Sequence, residues 1–197
     1  GVARGEEIHD AVKAGDVASA MAISKIYETL LQYSYLERPY TVEPCLAQAL
    51  PTVSEDGLTY TYRIRRGIRF QDDPCFTATA GRGRELTAHD FIYSILRVAD
   101  MKNASGGYWA FNDRILGLDE FRAASASESP TDYDRPVPGL RAPDIYTLEI
   151  TLTRPYPQLL WILTMHYACA TPREAVEYYG REFVNHPVGT GPFILKS

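Results

Sequence analysis

Two glycines around a threonine, Gly189-Thr190-Gly191, run into Pro192 and Phe193 and form the short stretch with most bearing on chemistry. Glycine lets a backbone approach another group closely, and proline fixes the exit direction. Such a stretch suits a ligand held by backbone donors and suits two packed backbones equally well. The adjacent aromatics Tyr108-Trp109 offer flat apolar faces with a polar handle, fit for a cleft wall or for packing inside a subdomain. Asp16, at the head of the segment Asp16–Ser19, is a third candidate ligand-binding position.

Catalytic constellations are missing from the sequence. His9, His89, His166 and His186 are scattered, with no i, i+4 pair. His166 and Cys169 are three apart but lack the second pair that a metal site needs, so ordinary packing accounts for them. No G-x-S-x-G turn carries a nucleophilic serine. The carboxylates Asp72, Asp73, Glu85 and Asp90 read as solvated loop groups or helix caps. Gly81-Arg82-Gly83-Arg84 lacks the Lys-Ser/Thr of a P-loop and the third glycine of a dinucleotide fingerprint, and reads as a solvated turn. No enzyme, cofactor or metal is expected. Cys45, Cys75 and Cys169 are too few for a disulfide scaffold. In an oxidising compartment Cys45 and Cys75 are the better pair, because both flank a hairpin in loop-like segments.

These residues need elements to hold them. Ile23, Ile26, Tyr27, Leu30 and Leu31 recur at helical spacing and predict a helix over 16–33 with Ser19 as its cap. Ser54-Glu55-Asp56-Gly57 predicts a hairpin turn. The strand after it alternates, with Leu58, Tyr60, Tyr62 and Ile64 on one face. Ile68–Phe70 predicts a short strand and residues 71–86 a loop. Thr87 and Asp90 make a capping box ahead of a helix whose apolar face is Phe91, Ile92, Ile95, Leu96 and Val98. A short helix is predicted near Asp119–Ala124, and residues 124–144, with four prolines, read as a long exposed loop. Tyr146–Leu152 predicts a strand and Pro157–Leu163 a helix. Thr171-Pro172-Arg173-Glu174 opens another helix, ended by Gly180, and Phe193–Leu195 predicts a final strand. Mixed helices and strands in this order give an α/β or α+β fold.

Composition sets outer bounds. The 197 residues are 45% hydrophobic and 23% charged, which excludes wholesale disorder. Twenty Lys+Arg against 25 Asp+Glu give a net charge of -5, which argues against a globally basic nucleic-acid binder. Fourteen tyrosines stand beside 7 Phe and 2 Trp, a surplus suited to half-buried surfaces. No apolar run approaches the ~18 residues of a membrane span. The first residue is not Met and no signal peptide is recognisable, so a piece of a longer protein is expected.

In order along the chain, these segments resemble the family 5 extracellular solute-binding proteins, the peptide- and nickel-type receptors of ABC importers. Ile26-Tyr27-Glu28-Thr29-Leu30-Leu31 resembles the family's "IYEGL" helix, and Glu43-Pro44-Cys45-Leu46-Ala47 its "xPxLA". Ser54–Tyr62 with Arg65–Phe70 resembles "DGxTYTFxLRxGVKF", and Leu86–Ser94 resembles "LTAxDVxYS". Tyr146–Leu152 is similar to the "TLEITL" strand and Val188–Phe193 to "VGTGPY". The likeness spans residues ~16–197, and the ordered conjunction of motifs is more specific than any one of them. Departures are Cys45, the lengthened 72–85 loop and the 124–144 insertion.

The resemblance implies an α/β fold of the class II periplasmic-binding type, with solute trapped between two lobes by hinge closure. It implies that residues 1–197 are the N-terminal part of the first lobe, with 36–184 roughly its extra subdomain and the second lobe lying outside. The implied function is capture of oligopeptides or a similar small solute and delivery to ABC permease subunits. The implied location is periplasmic or extracytoplasmic, with a lipid anchor through a removed signal left open. Ligand contacts implied by position are Gly189, Thr190, Gly191, Tyr108, Trp109 and Asp16. A ligand-sensing module of a regulatory protein is the alternative, and a hydrolase a more distant one.

Overall fold

The computed structural model of the chain describes residues 9–14 and 17–195. Asp16 lies outside the described residues. Helix α1 (Val17–Ile26) ends well before residue 33. Ser19 sits buried within it rather than capping it. From Leu31 the chain is extended, and β1 (Leu31–Tyr33) pairs antiparallel with β2 (Val42–Pro44), Leu31 opposite Pro44.

The second sheet is the scaffold of the molecule. Its strands β3 (Thr52–Val53), β4 (Thr59–Arg63), β5 (Leu140–Asp144) and β6 (Thr147–Thr151) lie in the order β3-β4-β6-β5, all neighbours antiparallel. The turn into β4 forms as the Asp-Gly signal demands. Gly57 adopts φ +71° and donates its N–H to the Ser54 carbonyl at 2.9 Å. Asp56 accepts from the Ser54 hydroxyl and the Leu58 N–H, which together hold its carboxyl below the usual range. Tyr60 and Tyr62 oppose Ile150 and Leu148 on the inner face. All four are buried, as period-2 alternation requires.

Helix α2 (Ala88–Ala99) covers that face and contacts both β5 and β6. The Thr87 N–H donates to Asp90 Oδ2 at 2.8 Å, so the capping box is present. Phe91, Ile95, Leu96 and Val98 join Phe111, Ile115, Phe121 and Ile150 in one continuous core. Helices α3 (Leu118–Ser125), α4 (Leu159–Ile162) and α5 (Arg173–Tyr179) complete the order.

Several expectations are corrected. Residues 140–144 form β5 at the sheet edge, where the missing N–H of Pro143 is tolerated. Ile68–Phe70 contributes only the single bridge Arg69↔Glu85. Thr171 makes no side-chain cap for α5; Pro172 is its N-cap and Glu174 reaches Arg84 instead. Phe193–Leu195 are not in a strand; the Phe193 N–H donates to the Lys25 carbonyl at the end of α1.

The carboxylates of the 71–86 segment are anchors rather than solvated groups. Asp72 accepts from the Gly83 N–H at 2.8 Å, and Asp73 from the Cys75 N–H and the Tyr179 hydroxyl. Glu85 accepts from the Gly67 N–H, the main cause of its lowered carboxyl pKa. A Cβ at Gly83 would lie 1.9 Å from the Phe70 carbonyl oxygen, so this glycine serves a close backbone crossing. Arg84 is a hub: it bonds Asp90 at 2.6 and 2.9 Å and Glu174 at 2.5 and 2.8 Å, tying the loop to α2 and α5.

Candidate functional site: a cavity beside the Gly189–Gly191 crossing

The Gly189-Thr190-Gly191 stretch packs backbone against backbone. A Cβ on Gly189 would sit 2.0 Å from the Ile26 carbonyl oxygen, and one on Gly191 2.7 Å from it. The Gly191 N–H donates to that same oxygen at 2.8 Å, capping the C-terminal end of α1. Gln71 fastens the other side, its side-chain amide donating to the Gly191 and Phe193 carbonyls, both at 2.7 Å. Of the two explanations open from sequence, close packing accounts for both glycines. Thr190 does something different, donating its hydroxyl to Glu28 Oε2 at 2.8 Å.

Glu28 stands in the wall of a cavity of about 310 Å3. Its rim is exposed Ser24, Gln32, Tyr33 and Pro192, and its floor is buried Tyr27, Thr29 and Cys169. Half-buried Cys45, Thr164 and His166 close the sides. Burial pushes the Cys45 thiol up and the Glu28 carboxylate adds to it; burial likewise raises Cys169, helped by Cys45. Burial lowers the His166 imidazole below its ordinary value. Both thiols and the imidazole are therefore favoured in their neutral forms. All three cysteines are free, and the neighbour of Cys45 is Cys169 rather than Cys75. Cys75 is buried elsewhere, raised first by burial and then by its hydrogen bond to Asp73.

The aromatic pair follows Gly107, which packs against Tyr167. Tyr108 is spent on packing: its hydroxyl bonds Asp119, and the Arg122 guanidinium lies 4.0 Å from its ring centroid. Trp109 is 55% exposed. Tyr167 joins this turn to the cavity. It occupies the space that a Cβ on Gly107 would need, meets the His166 ring at 3.9 Å between centroids in a tilted arrangement, and donates its hydroxyl to the Ala14 carbonyl. His166 Nε2 approaches the same carbonyl at 3.4 Å.

Sequence reasoning missed most of the cavity wall. Glu28 was visible only as part of a helical motif, and Tyr33 as the end of a helix that is in fact a strand. His166 and Cys169 were singled out by spacing, and both line the cavity. Among the described residues no three His, Cys, Asp or Glu side chains are arranged to hold a metal ion. No helix among them is long and apolar enough to cross a membrane.

Comparison with known proteins bears on family and fold. The sequence model of the bacterial extracellular solute-binding proteins, family 5 Middle, matches residues 41–197. The oligopeptide-binding protein AmiA of Streptococcus pneumoniae is 33% identical over 151 residues, covering 73% of this chain and 21% of its own length. The glutathione-binding protein GsiB of Escherichia coli O1:K1 is 30% identical over 186 residues, covering 94% of this chain and 29% of its own. The pheromone receptor PrgZ superposes with a TM-score of 0.77 at 25% identity, over 97% of this chain and 34% of that one. A periplasmic oligopeptide-binding protein of Borrelia burgdorferi gives 0.75 at 27% identity, over 96% and 34%. The chain thus spans about a third or less of the length of these relatives. The fold is that of part of a periplasmic-binding-protein lobe, and the chain belongs to the family 5 bacterial extracellular solute-binding proteins.

Proposed function

We propose that this chain forms part of the first lobe of an extracytoplasmic receptor that captures short peptides or similar solutes and delivers them to an ABC permease. On this reading residues 36–184 roughly make the extra subdomain. The wall offered to solute runs from Pro192 and Glu28 through His166 and Tyr167 to Trp109. The observation that carries the reading is Trp109: a large aromatic left half exposed while its neighbour Tyr108 is locked into packing. Two residues before it, Gly107 packs against Tyr167, whose neighbour His166 lines the cavity. Several relatives carry peptide-binding names, which supports peptide as the solute class. Flat aromatics suit a ligand whose side chains vary, because stacking requires only a face.

A site shared between two lobes needs both for affinity. Titration calorimetry of the 197-residue chain with mixed short peptides is expected to show no binding tighter than about 1 mM, equivalent to ~4 kcal/mol. Micromolar binding by this chain alone would overturn the two-walled reading.

A further inference from the structure

Glu28 is a half-buried carboxylate that enters no ion pair among the described residues; its assigned contact is the Thr190 hydroxyl. No Lys or Arg lines its cavity. The Arg65 guanidinium, which acts on Cys45, donates to the Ala47 carbonyl. Lys25, next along α1, is exposed and outside the wall. Glu43 adds a second negative charge nearby, accepting from the Gln32 amide. The lining therefore offers a carboxylate and no cationic side chain, beside thiols and an imidazole whose neutral forms burial favours. A partly desolvated carboxylate without a counter-charge favours any cation that can reach it.

The rim supplies a second attraction of the same sign. Tyr33, 48% exposed, meets the Trp161 ring at 5.4 Å between centroids, and Tyr40 abuts Tyr33 at 6.3 Å. This ridge already binds one guanidinium from within the chain: Arg38 lies 4.0 Å from the Tyr40 ring centroid. Aromatic faces attract cations through their quadrupole. The volume of about 310 Å3 lies at the small end of ligand pockets, the size of one side chain rather than a whole peptide. With no metal-holding group of side chains among the described residues, an organic cation is the species that fits.

We propose that the cavity walled by Glu28, Tyr33, His166 and Cys169 is a subsite for a cationic side chain of the bound solute, a guanidinium or an alkylammonium, with Glu28 as counter-charge and the Tyr33–Trp161 edge as its aromatic lid. The proposal rests on the solute-capture reading and names the chemistry of one subsite within it. The test uses the 197-residue chain and acetyl-arginine amide, with acetyl-citrulline amide as the neutral isostere. Binding is read from the Trp161 indole N–H resonance, assigned by loss of the other indole signal in Trp109→Phe. The arginine probe is expected to bind about fivefold more tightly than the citrulline probe, as a screened charge plus one cation–π contact provides. Glu28→Gln should bring the two within about twofold, and raising NaCl from about 20 to 300 mM should weaken the arginine probe alone. Equal binding of the two probes overturns the proposal, as does a preference that survives Glu28→Gln or high salt. The salt series in the unmutated chain decides the matter if Glu28→Gln does not fold. Neutral peptides that perturb Trp109, together with no arginine preference at Trp161, would refute the subsite and leave solute capture standing. Glu28-dependent arginine binding without any peptide effect at Trp109 would do the reverse.

Discussion

At Gly189 a methyl group has nowhere to go, because the Ile26 carbonyl oxygen would lie 2.0 Å from it and belongs to the backbone. Gly189→Ala must push the crossing away from the end of α1 and lose the bond from Gly191 to Ile26. We expect a loss of about 3 kcal/mol, read from the urea midpoint. Gly67→Ala is the informative comparison, since its Cβ would meet nothing within 4 Å and only its φ of +78° opposes the change. It should cost about 1 kcal/mol. His166 gives a prediction in pH. Its folded pKa lies below the ordinary imidazole value of about 6.5 because burial disfavours the imidazolium. Above that value it contributes in full; as pH falls below it the unfolded chain binds the proton first, and stability declines. His166→Gln should flatten the stability profile between pH 7 and the folded pKa, and an unchanged acid limb would show that His166 is not responsible. The need for glycine at 189 and 191 was legible in the sequence, but not the group that approaches, which lies some 160 residues away. The anchoring roles of Asp72 and Asp73 were equally hidden, because Gly83, Cys75 and Tyr179 come together only in the fold.

Elements whose signals are local were readable in advance. The Asp56-Gly57 turn, the Thr87–Asp90 box and the alternation of Leu148 and Ile150 all appear where their chemistry puts them. Failures occurred where a partner overrides local preference. Helical spacing continues to Leu31, yet the Ile26 and Lys25 carbonyls are claimed by Gly191 and Phe193, and Leu31–Tyr33 pairs with Val42–Pro44. Strand β5 was masked by its proline and by the Pro-rich stretch before it. Arg84 shows how such long-range ties hold elements together. Its side chain is 28% exposed and bridges α2 and α5 through two carboxylates, one of them the almost fully buried Asp90. Arg84→Met leaves Asp90 without its guanidinium. Discounted for that exposure, a loss of about 2 kcal/mol is expected. Arg84→Lys should recover only part of it, since a single ammonium cannot repeat the paired bonds to both acids. Equal stability of Arg84→Met and the unmutated chain by denaturant unfolding would remove Arg84 as a strut.

For the whole molecule, the ordered motifs made the family legible while the candidate wall was legible only in outline. Trp109 is a candidate by its residue type. The cavity was not, since it is assembled from α1, the β1–β2 hairpin, the His166–Ala168 turn and Pro192. The central claim is that this assembled face, from Pro192 to Trp109, is where solute meets the chain. Nitrogen-15 spectra of the 197-residue chain, titrated with mixed tri- to pentapeptides to about 10 mM, test it most directly, since sites of millimolar affinity are then largely filled. The account predicts shifts concentrated at the Trp109 and Trp161 indoles and at the backbones of Glu28, Tyr33, His166 and Tyr167. Shifts confined to other surfaces, such as the Arg69–Arg82 loop or the Leu116–Val137 groove, or no shifts at all, would contradict it.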